Sequence, residues 1–417
     1  MTKDQKKIIF LELGLLVLFL VFGFHEVLFS DFYGIHSWRQ SDCLSIAYHY
    51  YQGNSFLEPE IHNLISDNNT SGKSAGEFPI LYWLIGNIWA LTAYSEPVYR
   101  IFVLLLTLAG FYFQYLSLKV FFKSTFFAFG LTLITFSTPL VLFYGTSFLT
   151  NMPSLSFAQI GCYCFYIAYQ KKKNYFLHLG ILSFVLAGLL KITALSTLII
   201  ILPIAVYTNF RSNKLFFVSL LLGIGILYWW YGLYVPKYTE LHGGKYTFNS
   251  LWPIWKMTNE EIVNSIKFFR DITFWQLMNP LTWILFFFSL LVCFLIKGKI
   301  GKFFIYATIS LLIGFGLYFI LWFNAVHHHD YYFINFIIVP IFILSGGIYF
   351  IKERFSKFYY SKKLKYIFSL LIIFSVMYGA NNLRMRYKDR LNYWKGFAIA
   401  TAGNLEPGYW DYMTSAL

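Results

Sequence analysis

Four groups of polar residues lie beside apolar stretches, where ionisable side chains are costly and are functional candidates. The densest is Asp31 followed by His36-Ser37-Trp38-Arg39-Gln40-Ser41-Asp42. A helix starting near Ser41 would hold Arg39 and Asp42 together at its N-terminus, where the helix dipole favours the carboxylate anion. An ionised Asp is what a general base needs to take a proton from an attacking hydroxyl. The same residues also fit Ser41 or Asp42 as a plain N-cap, with Arg39 in a surface ion pair. In the second group, Gly76-Glu77-Phe78-Pro79, a carboxylate stands directly before an apolar run. With Pro in the first turn this is an ordinary helix start, or else a second acid on the same face as Asp42.

Lys191 carries the third group, Gly188-Leu189-Leu190-Lys191-Ile192-Thr193, and is the only Lys or Arg between Lys173 and Arg211. Two short helices between those clusters put Lys191 at an outer hairpin turn. There it meets a lipid phosphate or snorkels to the headgroups. The fourth group is Asn324-Ala325-Val326-His327-His328-His329-Asp330-Tyr331-Tyr332. Three consecutive His cannot all ligate one metal well, and the i, i+4 pair of a helical zinc site is missing. Hydrogen bonding of His329 and Tyr331 to a phosphate or sugar fits the residue types. So does a plain interfacial aromatic belt.

The elements that must position these groups follow from composition. Of 417 residues, 58% are hydrophobic, 22% aromatic and 12% charged, with a mean hydropathy of +0.57. Soluble domains carry roughly 45–50% apolar and about 25% charged residues. This balance excludes a soluble enzyme and a disordered chain, and points to an all-α polytopic membrane protein. The net charge of +14 is spread in short basic clusters between apolar runs, which argues against a nucleic-acid partner. Cys43, Cys162, Cys164 and Cys293 form no disulfide framework. The basic stretch Met1 to Lys7 precedes an apolar run too long for a signal-peptide core, which reads as an uncleaved first span.

Runs long enough to cross a bilayer, about 20 apolar residues, lie near 8–29, 98–122, 125–145, 154–170, 175–190, 193–210, 214–234, 281–297, 303–323, 332–351 and 366–380. If the apolar stretch 78–94 does not cross, nineteen of the 33 basic residues share one side with only Asp4, Glu12 and Glu353. The positive-inside rule then gives eleven spans, a cytoplasmic N-terminus and functional loops on the outer face. The outer pieces are a first loop, 30–97, with an amphipathic stretch from Asp42 to Tyr51, and a second loop, 235–280. A catalytic transmembrane unit over 1–380 is followed by a short outer tail, 381–417. That tail resists the scheme, since Arg384, Arg386, Lys388, Arg390 and Lys395 are basic. No repeat of 20–50 residues and no inverted-repeat pattern of the kind many transporters show is visible.

A first span, then Trp38-Arg39-Gln40-Ser41-Asp42, Glu77-Phe78-Pro79, the Lys191 turn and His329-Asp330-Tyr331-Tyr332 with Pro340 beyond, resembles the GT-C superfamily of membrane glycosyltransferases. The similarity is greatest to bacterial protein O-mannosyltransferase and lipid A aminoarabinose transferase relatives, and covers residues 8 to 350. The resemblance implies a GT-C-like helical fold with a helical first outer loop, in the bacterial inner membrane. It also implies a polyprenyl-phosphate-linked sugar donor and a glycan, lipid or protein acceptor. By match of position, Asp42 is the acceptor base, and Arg39 and Glu77 line the same cavity. Lys191, His329 and Tyr331, with His36 nearby, stand close to the donor phosphate. No cofactor is implied, and dependence on a divalent cation stays open. The chain departs from those relatives in lacking a large C-terminal outer domain, and Cys43 stands where some have a second acid after Asp42.

Chemically, cationic groups at headgroup level would stabilise a leaving phosphate, and a single base predicts inversion at the anomeric carbon. Two other readings remain. A glycan polymerase or ligase would place paired Arg residues in a large outer loop, where this chain offers only Lys267 and Arg270. A lipid-linked glycan transporter would place ionisable residues mid-span.

Overall fold

The computed structural model describes residues 13–30, 36–199, 214–243, 252–326 and 329–388. Asp31, Arg211, His327, His328, Arg390 and Lys395 lie outside the described residues. The main helices are α1 (Ser37–Tyr51), α2 (Ile80–Leu91), α3 (Glu96–Phe122), α4 (Thr125–Phe136), α5 (Pro139–Tyr144), α6 (Asn151–Lys171) and α7 (Tyr175–Leu190). They continue with α8 (Lys214–Leu241), α9 (Asn259–Leu277), α10 (Pro280–Cys293), α11 (Gly298–Leu321), α12 (Asp330–Arg354) and α13 (Lys362–Lys388). Among the described residues there are no strands, only two isolated bridges, Glu60 with Lys73 and Ser66 with Ser71.

Among the described residues, five helices, α3, α8, α11, α12 and α13, are long and apolar enough to cross a membrane. The α9–α10 pair makes a sixth if its 91° bend is counted within one span. The protein is a multi-pass membrane protein; of the other expected spans, 154–170 is the unbroken 21-residue α6, 8–29 and 193–210 lie partly outside the described residues, and the rest are divided or short. The run 125–145 is two helices, because Thr138 caps α5 and Pro139 opens it. The sixteen residues of α7 rise about 24 Å, less than a bilayer core of about 30 Å. The twelve residues of α2 rise only about 18 Å. This helix packs on α1 instead. Gly86 makes that approach possible, since a Cβ there would stand 2.6 Å from Tyr50 Cβ and 2.8 Å from the Ala47 carbonyl oxygen.

In the body of the bundle α6 packs along α3 and α7, α10 along α12, and α13 against α4 and α5. The two ends differ in chemistry. Lys352 Nζ donates to the Phe122 carbonyl at 2.8 Å, so the basic stretches at 119–123 and 352–365 share one end. The other end of α12, at Asp330, meets α1, the end of α7 and the last turns of α13. There α13 runs unbroken past residue 380, so the expected tail begins as the continuation of a long helix.

Candidate active site

The segment 36–97 opens with α1, which starts at Ser37 rather than near Ser41. Its N-cap, His36, has φ 66°, a left-handed conformation that a non-glycine residue adopts at a cost. The earlier start changes how Asp42 is held. It lies in the second turn, beyond the four free N–H groups and the reach of the dipole. The Ser41 hydroxyl donates back to the Ser37 carbonyl at 3.1 Å and caps nothing. Instead Arg39, one turn earlier, brings Nη1 to 3.5 Å from Asp42 Oδ2.

Arg39 also reaches across the loop, where Nη2 donates to Glu77 Oε2 at 2.6 Å. Lys191 Nζ donates to the other oxygen, Oε1, at 2.8 Å. One carboxylate thus joins two cations that are 38 and 114 residues away in sequence. Burial works to raise the Glu77 pKa, and the two cations outweigh it, holding the carboxyl well below the ordinary carboxylate range. Lys191, 7% exposed, does not snorkel. It points inward and also lies over the Tyr332 ring at 5.1 Å.

Local packing fixes this geometry. The Phe78 N–H donates to the Leu189 carbonyl at 2.8 Å, pinning the Glu77 segment to the end of α7. A π-helical turn within α8, Trp229–Tyr234, supplies the rest. Trp230 Nε1 donates to the Gly76 carbonyl at 3.0 Å, and the Tyr231 hydroxyl reaches the Gly188 and Leu189 carbonyls at 3.0 and 2.8 Å. Such turns are often found at functional sites because they re-aim side chains.

A second cluster adjoins the first. Asp330, fully buried, accepts from the Tyr144 hydroxyl and from Arg386 Nη2, both at 2.5 Å. His36 Nε2 lies 3.3 Å from the same carboxylate. The His36 ring meets Tyr331 at 4.9 Å and His329 at 5.3 Å between centroids. Tyr331 and Tyr332, at 4.8 Å, join the two clusters. Arg39, Asp42, Glu77, Lys191, His36, His329 and Tyr331 therefore all lie in one region. Arg386 is one of the basic residues that resisted the topological scheme, and it is the partner of a buried acid.

Four participants were not singled out from the sequence: His62, Tyr144, Asp330 and Arg386. Asp330 sat inside a quoted motif, and Arg386 was visible as a misplaced charge. His62 lies in a loop with no periodicity to mark it, and Tyr144 ends the short apolar helix α5, where an aromatic residue does not stand out. His62 Nδ1 is 3.5 Å from Asp42 Oδ1. Burial, and then the nearby His49, lower the His62 pKa to about 4, so the ring is neutral at pH 7. Among the described residues, no three His, Cys, Asp or Glu side chains converge as a metal-binding group.

Solved structures with the same architecture include ArnT from Cupriavidus metallidurans, bound to undecaprenyl phosphate and in the apo state. The bound form has TM-score 0.55 and 12% identity, over 93% of this chain and 76% of that one. The apo form gives TM-score 0.55 and 12% identity, over 92% and 76%. The chain shares the fold of these ArnT structures. No family model and no curated protein matches the sequence. At this identity the likeness is one of fold, and what this chain's residues do rests on the geometry above.

Proposed function

We propose that this protein is an integral-membrane glycosyltransferase. It moves a sugar from a polyprenyl-phosphate donor to a glycan, lipid or protein acceptor on the outer face of the inner membrane. The observation that carries this reading is the Arg39–Asp42–Glu77–Lys191 network, built by the outer loop on a GT-C-type fold. The fold is shared with a protein whose structure holds undecaprenyl phosphate. A lipid-linked donor enters sideways from the bilayer, so its phosphate arrives at the level of Lys191 and Arg39. Those cations stabilise the phosphate as the anomeric C–O bond breaks. Asp42 draws the proton from the acceptor hydroxyl, and the tyrosine pair Tyr331 and Tyr332, with His36 and His329, flanks the donor side.

In this mechanism Glu77 is a clamp rather than a second base. Its two oxygens are engaged by two cations, and its charge holds both in place without a net charge in the pair of buried carboxylates and cations. The reaction is one displacement with inversion, since one base serves one attack. The paired arginines expected of a glycan polymerase or ligase find no support: exposed Arg270 pairs with its neighbour Asp271 at 2.6 Å. The test is transfer of labelled sugar from polyprenyl-phosphate lipids extracted from the source membranes. Formation of a glycosidic bond with inverted configuration is expected. Movement of the intact lipid-linked sugar across vesicles without bond formation would replace the enzyme by a transporter.

A further inference from the structure

Asp42 has 0% exposure, and both of its oxygens have neighbours, Arg39 at 3.5 Å and His62 at 3.5 Å. An acceptor hydroxyl approaching from outside therefore meets other atoms before it meets this carboxylate. Trp38 shows which atoms these are. It lies four residues before Asp42, so both project from one face of α1, and it is 36% exposed. Its ring meets the His62 ring edge-on, with centroids 5.4 Å apart. His62, whose own side chain is only 5% exposed, thus stands between the exposed Trp38 and the buried acid. The backbone fixes it there: the His62 N–H donates to Ser45 Oγ at 3.1 Å, and Ser45 Oγ donates to the Asp42 carbonyl at 2.8 Å.

We propose that His62 is a catalytic proton relay between the acceptor hydroxyl and Asp42, with Trp38 as the platform on which the acceptor lies. This rests on the glycosyltransferase reading and adds a residue and a path to it. In the step, the acceptor oxygen bonds to the anomeric carbon and the C–O bond to the donor phosphate breaks, its electron pair leaving with the phosphate. The acceptor proton passes to His62 Nε2 as the proton on Nδ1 passes to Asp42 Oδ1. His62 ends neutral in its other tautomer, and Asp42 later loses its proton to water. The neutral ring suits this role, because an imidazolium has no lone pair to receive the proton.

The test uses the full-length protein in membranes and donor lipids extracted from the source strain. His62→Asn keeps a donor facing Asp42 and removes the relay, so it should lower transfer about 10²–10⁴-fold with little change in donor KM. A base is unnecessary for an anionic nucleophile. Added azide should therefore release the sugar as glycosyl azide in His62→Ala and leave the wild-type rate unchanged. Wild-type transfer by His62→Asn would overturn the relay. So would a folded, inactive His62→Ala that azide does not rescue, since His62 would then only support the site. An inactive wild type with the whole donor panel would overturn the glycosyltransferase reading and the relay with it.

Discussion

At the scale of single residues, the site is a balance of buried charges. Arg39 and Lys191 both pair with Glu77, and Arg39 also with Asp42, two cations against two carboxylates. Removing one member of a buried pair leaves its partner's charge uncompensated, at a cost of about 3–5 kcal/mol. Glu77→Gln is therefore expected to lower the unfolding temperature of the detergent-solubilised protein. A fully stable Glu77→Gln variant would mean that the two cations have other partners. The pH dependence follows from the sign of the Glu77 shift. Its depressed pKa gives stability that is present above the ordinary carboxylate range and is lost as pH falls through the folded value. Acid unfolding measured in wild type should thus be steeper than in Glu77→Gln below that range. Equal slopes would contradict it. Asp42, Glu77, Arg39 and Lys191 were legible in the sequence because a charge beside an apolar run stands out. His62 was not, because nothing in a loop's local pattern tells where its side chains end, and neither was Tyr144, one aromatic among the apolar residues of α5.

At the scale of elements, three short pieces do the positioning: α1, α2 and the π turn of α8. The start of α1 was misplaced because Ser41 and Asp42 are good capping residues, whereas His36 at φ 66° is a poor one. Contacts from Asp330 and Tyr331 offset that cost, and tertiary contacts of this kind carry no local sequence signal. Gly86 lets α2 lie against α1. Gly86→Val is expected to destabilise by about 1–3 kcal/mol and to weaken activity by shifting Asp42, both measurable on purified protein. Unchanged stability would show that α1 and α2 can separate without harm. The end of α13 belongs to the site through Arg386. Arg386→Gln should cost activity as well as stability, because it leaves Asp330 with Tyr144 and His36 alone. An active, stable variant would remove α13 from the account.

At the scale of the whole molecule, the long apolar segments were readable because a bilayer demands about 20 apolar residues in a row. The count of spans was harder, since α2, α4 and α7 are apolar yet short, and a hydropathy reading does not separate a short span from a buried helix. The basic ends near Phe122 and Lys352 meet, as one-sided charge clusters should. Single cysteines placed at exposed Lys172 and Gln52, in a background without the native four, should report opposite faces. An impermeant thiol reagent is expected to label Gln52→Cys from outside and Lys172→Cys only after permeabilisation. The reverse pattern would invert the molecule in the membrane.

The central claim is that Asp42 draws the acceptor's proton in a sugar transfer from a polyprenyl phosphate. Its most direct test is transfer of labelled sugar from extracted donor lipids, in membranes carrying equal amounts of wild type and Asp42→Asn. The substitution keeps the side chain's shape and removes its basicity. Transfer by wild type and a loss of about 10²–10⁴-fold in the variant is the predicted result. Equal transfer by both proteins would contradict it.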